Sequence, residues 1–412
     1  MRTVVLTILV GWTTLAAQEI LSDRIVGMRV SGTTKAEIPV AGMGGDPITV
    51  EFDLKGEVPE NVRLRVIHCD RDWKPTGTSF INNETANRAR IPVLYEFAPA
   101  GVRGYRFQYR FKLPGIAGID RFAQSGNYLF ELLDEEWSQV LARGRFYVVE
   151  NLVRPVMKIA NRQLPSGVHP WNKVNRVEVG VVIPDADADG ERRLLVPYLA
   201  RVDIIKNRQL YHPWRIDAGV FSSTTFVEGI GTSRLKFVIE NVQPGSEYRR
   251  IDLRNVTDYP EGVHLRPRSG ADVSRYLQSA PRDNNGVSLL TTGSRFAEYV
   301  PFQFELILDP PPGDSVMVVG DFNGWRPSAG YRLQYDEETN RFRTLVLLKR
   351  GLHDYQYTLG NHDWVSLEGN DWRTVNVYSA FVYYHEPRYG GFDRIVGFVQ
   401  GTGPGGSGLT SP

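Results

Sequence analysis

The sequence predicts an all-β protein of tandem sandwich domains. Three observations carry that expectation: apolar residues recur at every second position, flat aromatic rings are abundant, and glycine and proline punctuate the chain densely. Tyr and Phe number 19 each and Trp 8, whereas Met numbers only 5, and rings suit a pleated, half-buried surface. At 412 residues the chain exceeds what one hydrophobic core usually serves, so several domains are expected. The 48 basic and 47 acidic side chains nearly cancel, leaving no bulk field that would draw nucleic acid or an anionic membrane surface.

In chain order, Arg2, the apolar stretch Thr3 to Trp12 and the small residues Ala16-Ala17 before Gln18 have the three-part form of a secretory signal over residues 1–17. No later apolar run reaches the ~18 residues a spanning helix needs, so an exported protein without a membrane span is expected. Cys69 is the single cysteine, which excludes an internal disulfide and, in an exported chain, favours a bacterial envelope compartment. Alternating strands then follow: Ile48 to Leu54, Val62 to Ile67, Tyr105 to Phe111, Tyr128 to Leu133 and Gly144 to Val149. They define a first domain over residues 24–150. A second block, 151–293, has its clearest strands at Arg176 to Val181, Tyr198 to Val202 and Arg234 to Ile239, with a short helix expected at Asp272 to Leu277. A third block, 296–400, opens on Val300 to Leu308. Residues 401–412, rich in Gly, Ser and Pro, are expected to be a disordered tail.

Within the third block, Val316 to Gly320 runs into the turn Asp321-Phe322-Asn323-Gly324-Trp325. Two more strands, Arg343 to Lys349 and His353 to Leu359, meet across Gly351, and Trp364 follows a polar corner. This stretch resembles the glycogen-binding E-set module of starch-branching enzymes and of a kinase regulatory subunit. The fold class expected for the whole chain is accordingly all-β, of tandem immunoglobulin-like/E-set β-sandwich domains. The resemblance implies that Trp325 and Trp364 stack on glucose rings, with Asn376 as a polar partner. Aromatic faces suit the apolar C–H side of a pyranose while its hydroxyls bond at the rim. The stretch departs from the module at Gln356, where sugar-binding members carry Lys. The other reading makes both tryptophans anchors that fasten the turn to its sandwich.

Several phrases, in order, resemble the plug protein family of the type IX secretion system of Bacteroidota. They are His68 to Pro75, Tyr109 to Pro114, Ser125 to Tyr128 and Arg143 to Phe146; Gly245 to Leu253 and Pro281 to Gly286; and Leu348 to Gly351, Glu368 to Tyr378 and Val382 to Tyr384 leading to Phe392 to Gly397. The resemblance implies a non-enzymatic periplasmic subunit that occludes the large outer-membrane translocon barrel, without a cofactor. The rival function is a periplasmic α-glucan-binding protein that uses Trp325 and Trp364.

Two constellations invite a metal. Asp185, Asp187 and Asp189 alternate before Gly190 like the opening of a calcium loop, but position 12 falls on Val196 where a bidentate acid belongs, which favours a solvated acidic hairpin. His68, Asp70 and Asp72 share one face if their strand continues, a possible zinc set; a polar network beside Trp73 is the competing reading. No nucleophile elbow, zinc-protease helix or phosphate loop is present, and Cys69 has no recognisable base.

Overall fold

The computed structural model describes residues 18–33, 38–83, 85–164, 173–184, 194–260, 264–275, 283–309, 313–360 and 362–403. The expected signal segment, the carboxylates Asp185, Asp187 and Asp189, and nearly all of the expected tail lie outside them. Among the described residues, six sheets of four or five strands pack as three face-to-face pairs around three main hydrophobic cores.

The first sandwich uses β1 (Gln18–Ile20), β2 (Ile25–Ser31), β3 (Val40–Gly42), β4 (Ile48–Leu54), β5 (Arg63–Cys69), β6 (Tyr95–Phe97), β7 (Phe107–Leu113), β8 (Gly126–Leu133) and β9 (Val140–Val149). One sheet runs β1-β9-β8-β5 with β3 added on β9, and the other runs β2-β4-β7-β6. Alternation does what the sequence implies. Ile48, Val50, Phe52 and Leu54 point inward and meet Phe107, Tyr109, Phe111 and Leu113 across the β4/β7 ladder. Phe52 and Tyr109 stack at 4.7 Å, a cross-strand pairing that adds to plain burial. β8 is buried at all eight positions because its outer face, including Leu129, is covered by the second sandwich. The two polar side chains on that covered face are paired, Asn127 with Tyr383 and Glu131 with Arg65.

The second sandwich begins with β10 (Val156–Gln163), β11 (Lys173–Val182), β12 (Leu199–Lys206), β13 (Trp214–Asp217), β14 (Thr225–Glu228) and β15 (Arg234–Val242). The third is made of β16 (Arg249–Asp252), β17 (Asp272–Val273), β18 (Leu289–Leu290), β19 (Tyr299–Ile307), β20 (Val316–Gly320), β21 (Gln334–Asp336), β22 (Arg341–Lys349) and β23 (Gly351–Leu359), followed by the one-turn α1 (Val365–Glu368). The chain then returns to the second sandwich with β24 (Asn376–Glu386) and β25 (Phe392–Gly403), which complete the sheet β13-β12-β24-β25.

Two features differ from the sequence expectation. The last long hairpin, placed by its position in the third block, belongs to the second sandwich: Tyr378, Ala380, Val382 and Tyr384 enter that core, so the third sandwich is an insertion between β15 and β24. Pairing partners more than 170 residues away are invisible to local periodicity. Asp272 and Val273, expected in a short helix, form the strand β17 parallel to β19, where Asp272 accepts hydrogen bonds from the hydroxyls of Tyr355 (2.7 Å) and Tyr357 (2.8 Å).

Candidate functional site: the seams between sandwiches

The chemistry-bearing side chains of this protein gather where the sandwiches meet. At the seam of the first and second, β24 and β25 use their alternate residues: Phe381, Tyr383 and Ile395 leave their own core and join Cys69, Trp73, Leu129 and Tyr147 in a separate apolar cluster. Tyr147 and Phe381 stack at 4.0 Å. Tyr383 donates its hydroxyl hydrogen to Asn127 Oδ1 (2.8 Å), so its polar end is satisfied in the middle of the seam. Arg394 donates to Glu150 (2.6 Å) and to Glu386 (3.0 Å), all three side chains being buried.

The turn after β5 shows how local sequence builds this seam. Asp70 Oδ1 accepts from the backbone N–H groups of Asp72 (2.8 Å) and Lys74 (2.9 Å), closing a tight turn that puts Trp73 in the left-handed region at φ 65°. The turn lays the Trp73 ring edge-on to Tyr147 at 5.2 Å and beneath the Arg145 guanidinium at 4.4 Å. Asp72 accepts from Arg201 (2.8 Å), which also reaches Asp203 and the Arg71 carbonyl. His68 lies fully buried with Nδ1 at 2.8 Å from Thr76 Oγ1 and Nε2 donating to the Ser125 carbonyl at 3.1 Å. Burial pulls its pKa down to about 4 and holds it neutral. His68, Asp70 and Asp72 therefore do not converge: the strand ends at Cys69, and each group has its own partner. Among the described residues no group of three or more His, Cys, Asp or Glu is placed to hold a metal ion. Burial also pushes the Cys69 thiol up to about 12, far from a nucleophile's range.

The first and third sandwiches meet through charge. Asp53 on β4 accepts from Lys349 on β22 (2.5 Å) and from the Tyr299 hydroxyl (2.8 Å), and Asp53 and Lys349 are both nearly sealed from water. Arg208, from the second sandwich, donates to Asp321 of the third (2.9 Å) and to the Val30 carbonyl of the first (3.0 Å), tying all three together. A small cavity of about 100 Å³ remains beside these groups, lined by the charged Arg29, Asp53, Asp321 and Lys349 and equally by apolar side chains such as Met28 and Phe52.

The second and third sandwiches close around both tryptophans singled out in the sequence. Trp325, at φ 60°, is 3% exposed; its indole N–H donates to the Gly286 carbonyl (3.0 Å) and its ring lies 4.3 Å from Tyr248. Gly286 has φ 86°, and a Cβ there would sit 2.8 Å from the indole, so glycine is required on both counts. Trp364 is 7% exposed, packed over Gly245 and under the Lys206 ammonium at 4.0 Å. Burial pulls that ammonium down to about 7. Asn376 donates to the Pro244 carbonyl (3.0 Å) and accepts from Asn207 (2.9 Å), spending both ends of its amide inside the protein. A sugar platform needs an open aromatic face, and in the folded chain neither ring offers one. The three residues do converge on one region, but as internal anchors.

Residues 25–150, which are the first sandwich almost in full, match the family described as the type 9 secretion system plug protein 1st domain. The first sandwich is thus similar to the first domain of type IX secretion system plug proteins. A crystal structure of a hypothetical protein from Parabacteroides merdae shares the fold across 94% of this chain and 99% of that one, with a TM-score of 0.75 at 20% identity. The three-sandwich arrangement is therefore not peculiar to this chain. No curated protein matches the sequence. The phrases that resemble the plug proteins lie mostly on the seams just described: Asp72 and Trp73, Asn127, Arg145, Tyr248, Gly286, and Ile395. Sequence reasoning missed the pairings of Asp53 with Lys349 and of Arg208 with Asp321, although Lys349 and Asp321 both lie in stretches it singled out. The first two lie 296 positions apart, and nothing local marks either as one half of a buried pair.

Proposed function

We propose that this protein is a type IX secretion system plug protein, a non-enzymatic periplasmic subunit that associates with the outer-membrane translocon and occludes its periplasmic end when no substrate is passing. The observation that carries the reading is the family match of the first sandwich. Its physical support is the build of the body: a stopper must resist deformation, and three sandwiches joined by buried ion pairs and interdigitated rings have few soft joints. Export by the N-terminal segment would place it in the right compartment, and no helix among the described residues is long and apolar enough to cross a membrane. We read the inserted third sandwich as E-set in type, on the turn Gly320 to Trp325, with that turn used as a fastening to the second sandwich.

The test is capture. Tagged mature protein incubated with detergent-solubilised envelopes of its own organism should retain a very large outer-membrane barrel, identified by mass. Retention of no such barrel, at protein concentrations well above micromolar, would contradict the reading.

A further inference from the structure

One corner of the seam between the second and third sandwiches packs three basic groups together. Lys206 ends β12, and its buried ammonium lies over the Trp364 ring at 4.0 Å and donates to the Pro244 carbonyl at 3.2 Å. His212, in the turn after that strand, stacks face to face on His362 of the inserted sandwich, with ring centroids 3.4 Å apart and planes at 27°. His362 and Trp364 form one corner, in which the Trp364 N–H donates to the His362 carbonyl (3.1 Å). Both contacts therefore bridge the seam: Lys206 and His212 come from one body, Trp364 and His362 from the other.

Two imidazoles at van der Waals distance tolerate each other only while at least one is neutral, and a nearby ammonium sharpens that demand. Loss of water on the stacked side, then repulsion by His212 and Lys206, pulls the His362 pKa down to about 4. Arg326 adds positive charge beyond His212, lying over the Tyr211 ring that meets His212 at 4.3 Å. The neighbouring carboxylates do not offset this. Asp363 accepts from the Ser366 N–H (3.2 Å) and hydroxyl (2.6 Å), and Asp283, which favours a charged Lys206, is itself pushed up to about 7 by burial. Asp283 takes up a proton on acidification and so works in the opposite direction. Its donors, the N–H groups of Tyr248 and Asn285, belong to the inserted sandwich with it, so it keeps them when the seam parts. For His362 the sign is fixed: the open imidazole titrates near 6.5 and the closed one near 4, so closure is intact above pH 6.5 and weakens as pH falls toward 4.

We propose that Lys206, His212 and His362 form an acid-sensitive latch: protonation of the stacked imidazoles parts the second and third sandwiches at this corner. The bodies stay tethered by the two chain crossings, where the Asp371 N–H (2.8 Å) and the Thr374 hydroxyl (2.9 Å) donate to the Gly245 carbonyl. Opening withdraws Trp364 from Lys206 and admits water to the ammonium, which then holds its proton more firmly. The inference is independent of the plug reading.

The experiment is backbone hydrogen exchange of the full-length chain near pH 7.5 and near pH 5, read by mass spectrometry and corrected for the intrinsic rate. Uptake of one proton by His362 on opening should speed exchange of segments 206–212 and 362–368 by about twentyfold between these values, with a few-fold more from Lys206. β4 and β7 should keep their protection, which separates a parted corner from unfolding of the whole chain. In His212→Gln/His362→Gln only the few-fold part should remain. Where that double variant melts early, His362→Gln alone, at an exposed position, replaces it. Unchanged protection of the two segments in the natural chain, an equally large acid step in a folded variant, or loss of protection in β4 and β7 together with the corner overturns the latch.

Discussion

At the scale of single residues, the tryptophans show how one sequence feature serves two incompatible roles. A ring that stacks on a sugar must face water, whereas Trp325 is enclosed by Tyr248 and Gly286, and its N–H is spent on a carbonyl. Trp325→Ala should cost roughly 3–5 kcal/mol, the usual range for truncating a buried aromatic. Urea unfolding followed by near-ultraviolet circular dichroism reads this directly, and an unchanged midpoint would return the ring to the surface. The Asp53–Lys349 pair makes a sharper case. Removing either partner strands a buried charge, so Asp53→Ala and Lys349→Met should each destabilise by about 3–5 kcal/mol. The double variant should be clearly less harmful than the sum, because it leaves no orphan charge; strict additivity in the same unfolding series would show that the two groups do not meet.

His68 gives a pH dependence whose sign is fixed by its depressed pKa. Unfolded, the imidazole titrates near 6.5; folded, near 4. The unfolded chain therefore binds more protons between those values, and His68 contributes stability that is fully present above pH 6.5 and lost as pH falls through 4. The loss amounts to about 3 kcal/mol in full. His68→Gln should flatten that part of the stability profile, and an equally steep fall in the variant would assign the slope to other groups.

At the scale of elements, the long hairpin of β24 and β25 decides the architecture. Its even residues Tyr378 to Tyr384 fill the second core, while Phe381 and Tyr383 fill the seam with the first sandwich. A chain ending at residue 375 should lose the cooperative unfolding of the second sandwich. Replacing residues 246–373 by a short glycine linker should preserve it, since the Gly245 carbonyl already accepts from the Thr374 hydroxyl at 2.9 Å. Loss of cooperativity in the linker variant but not in the truncated chain would reverse this account. Much of the fold was legible because strands such as β7 bury one face and alternate strictly, as β4 does as far as Phe52. The hairpin's pairing was not, because alternation identifies a strand and says nothing of its neighbours. The candidate site was half legible. Trp325, Trp364 and Asn376 stood out by type and spacing, but whether a ring faces inward depends on Tyr248, Gly286 and Gly245, which come from distant parts of the chain.

At the scale of the whole molecule, the seams matter more than any one sandwich. Arg208 touches all three bodies, and the ion pairs at Asp53, Glu150 and Asp321 join segments remote in sequence. A body fixed in this way holds its bulk in one constant shape, which occlusion of a pore requires and catalysis does not. The most direct measurement is the ionic conductance of the purified translocon in a planar bilayer, with the mature protein added to the periplasmic side. Closure of open channels at saturating protein, reversed on washing it away, is the predicted result; conductance that persists unchanged with the protein bound would contradict the account.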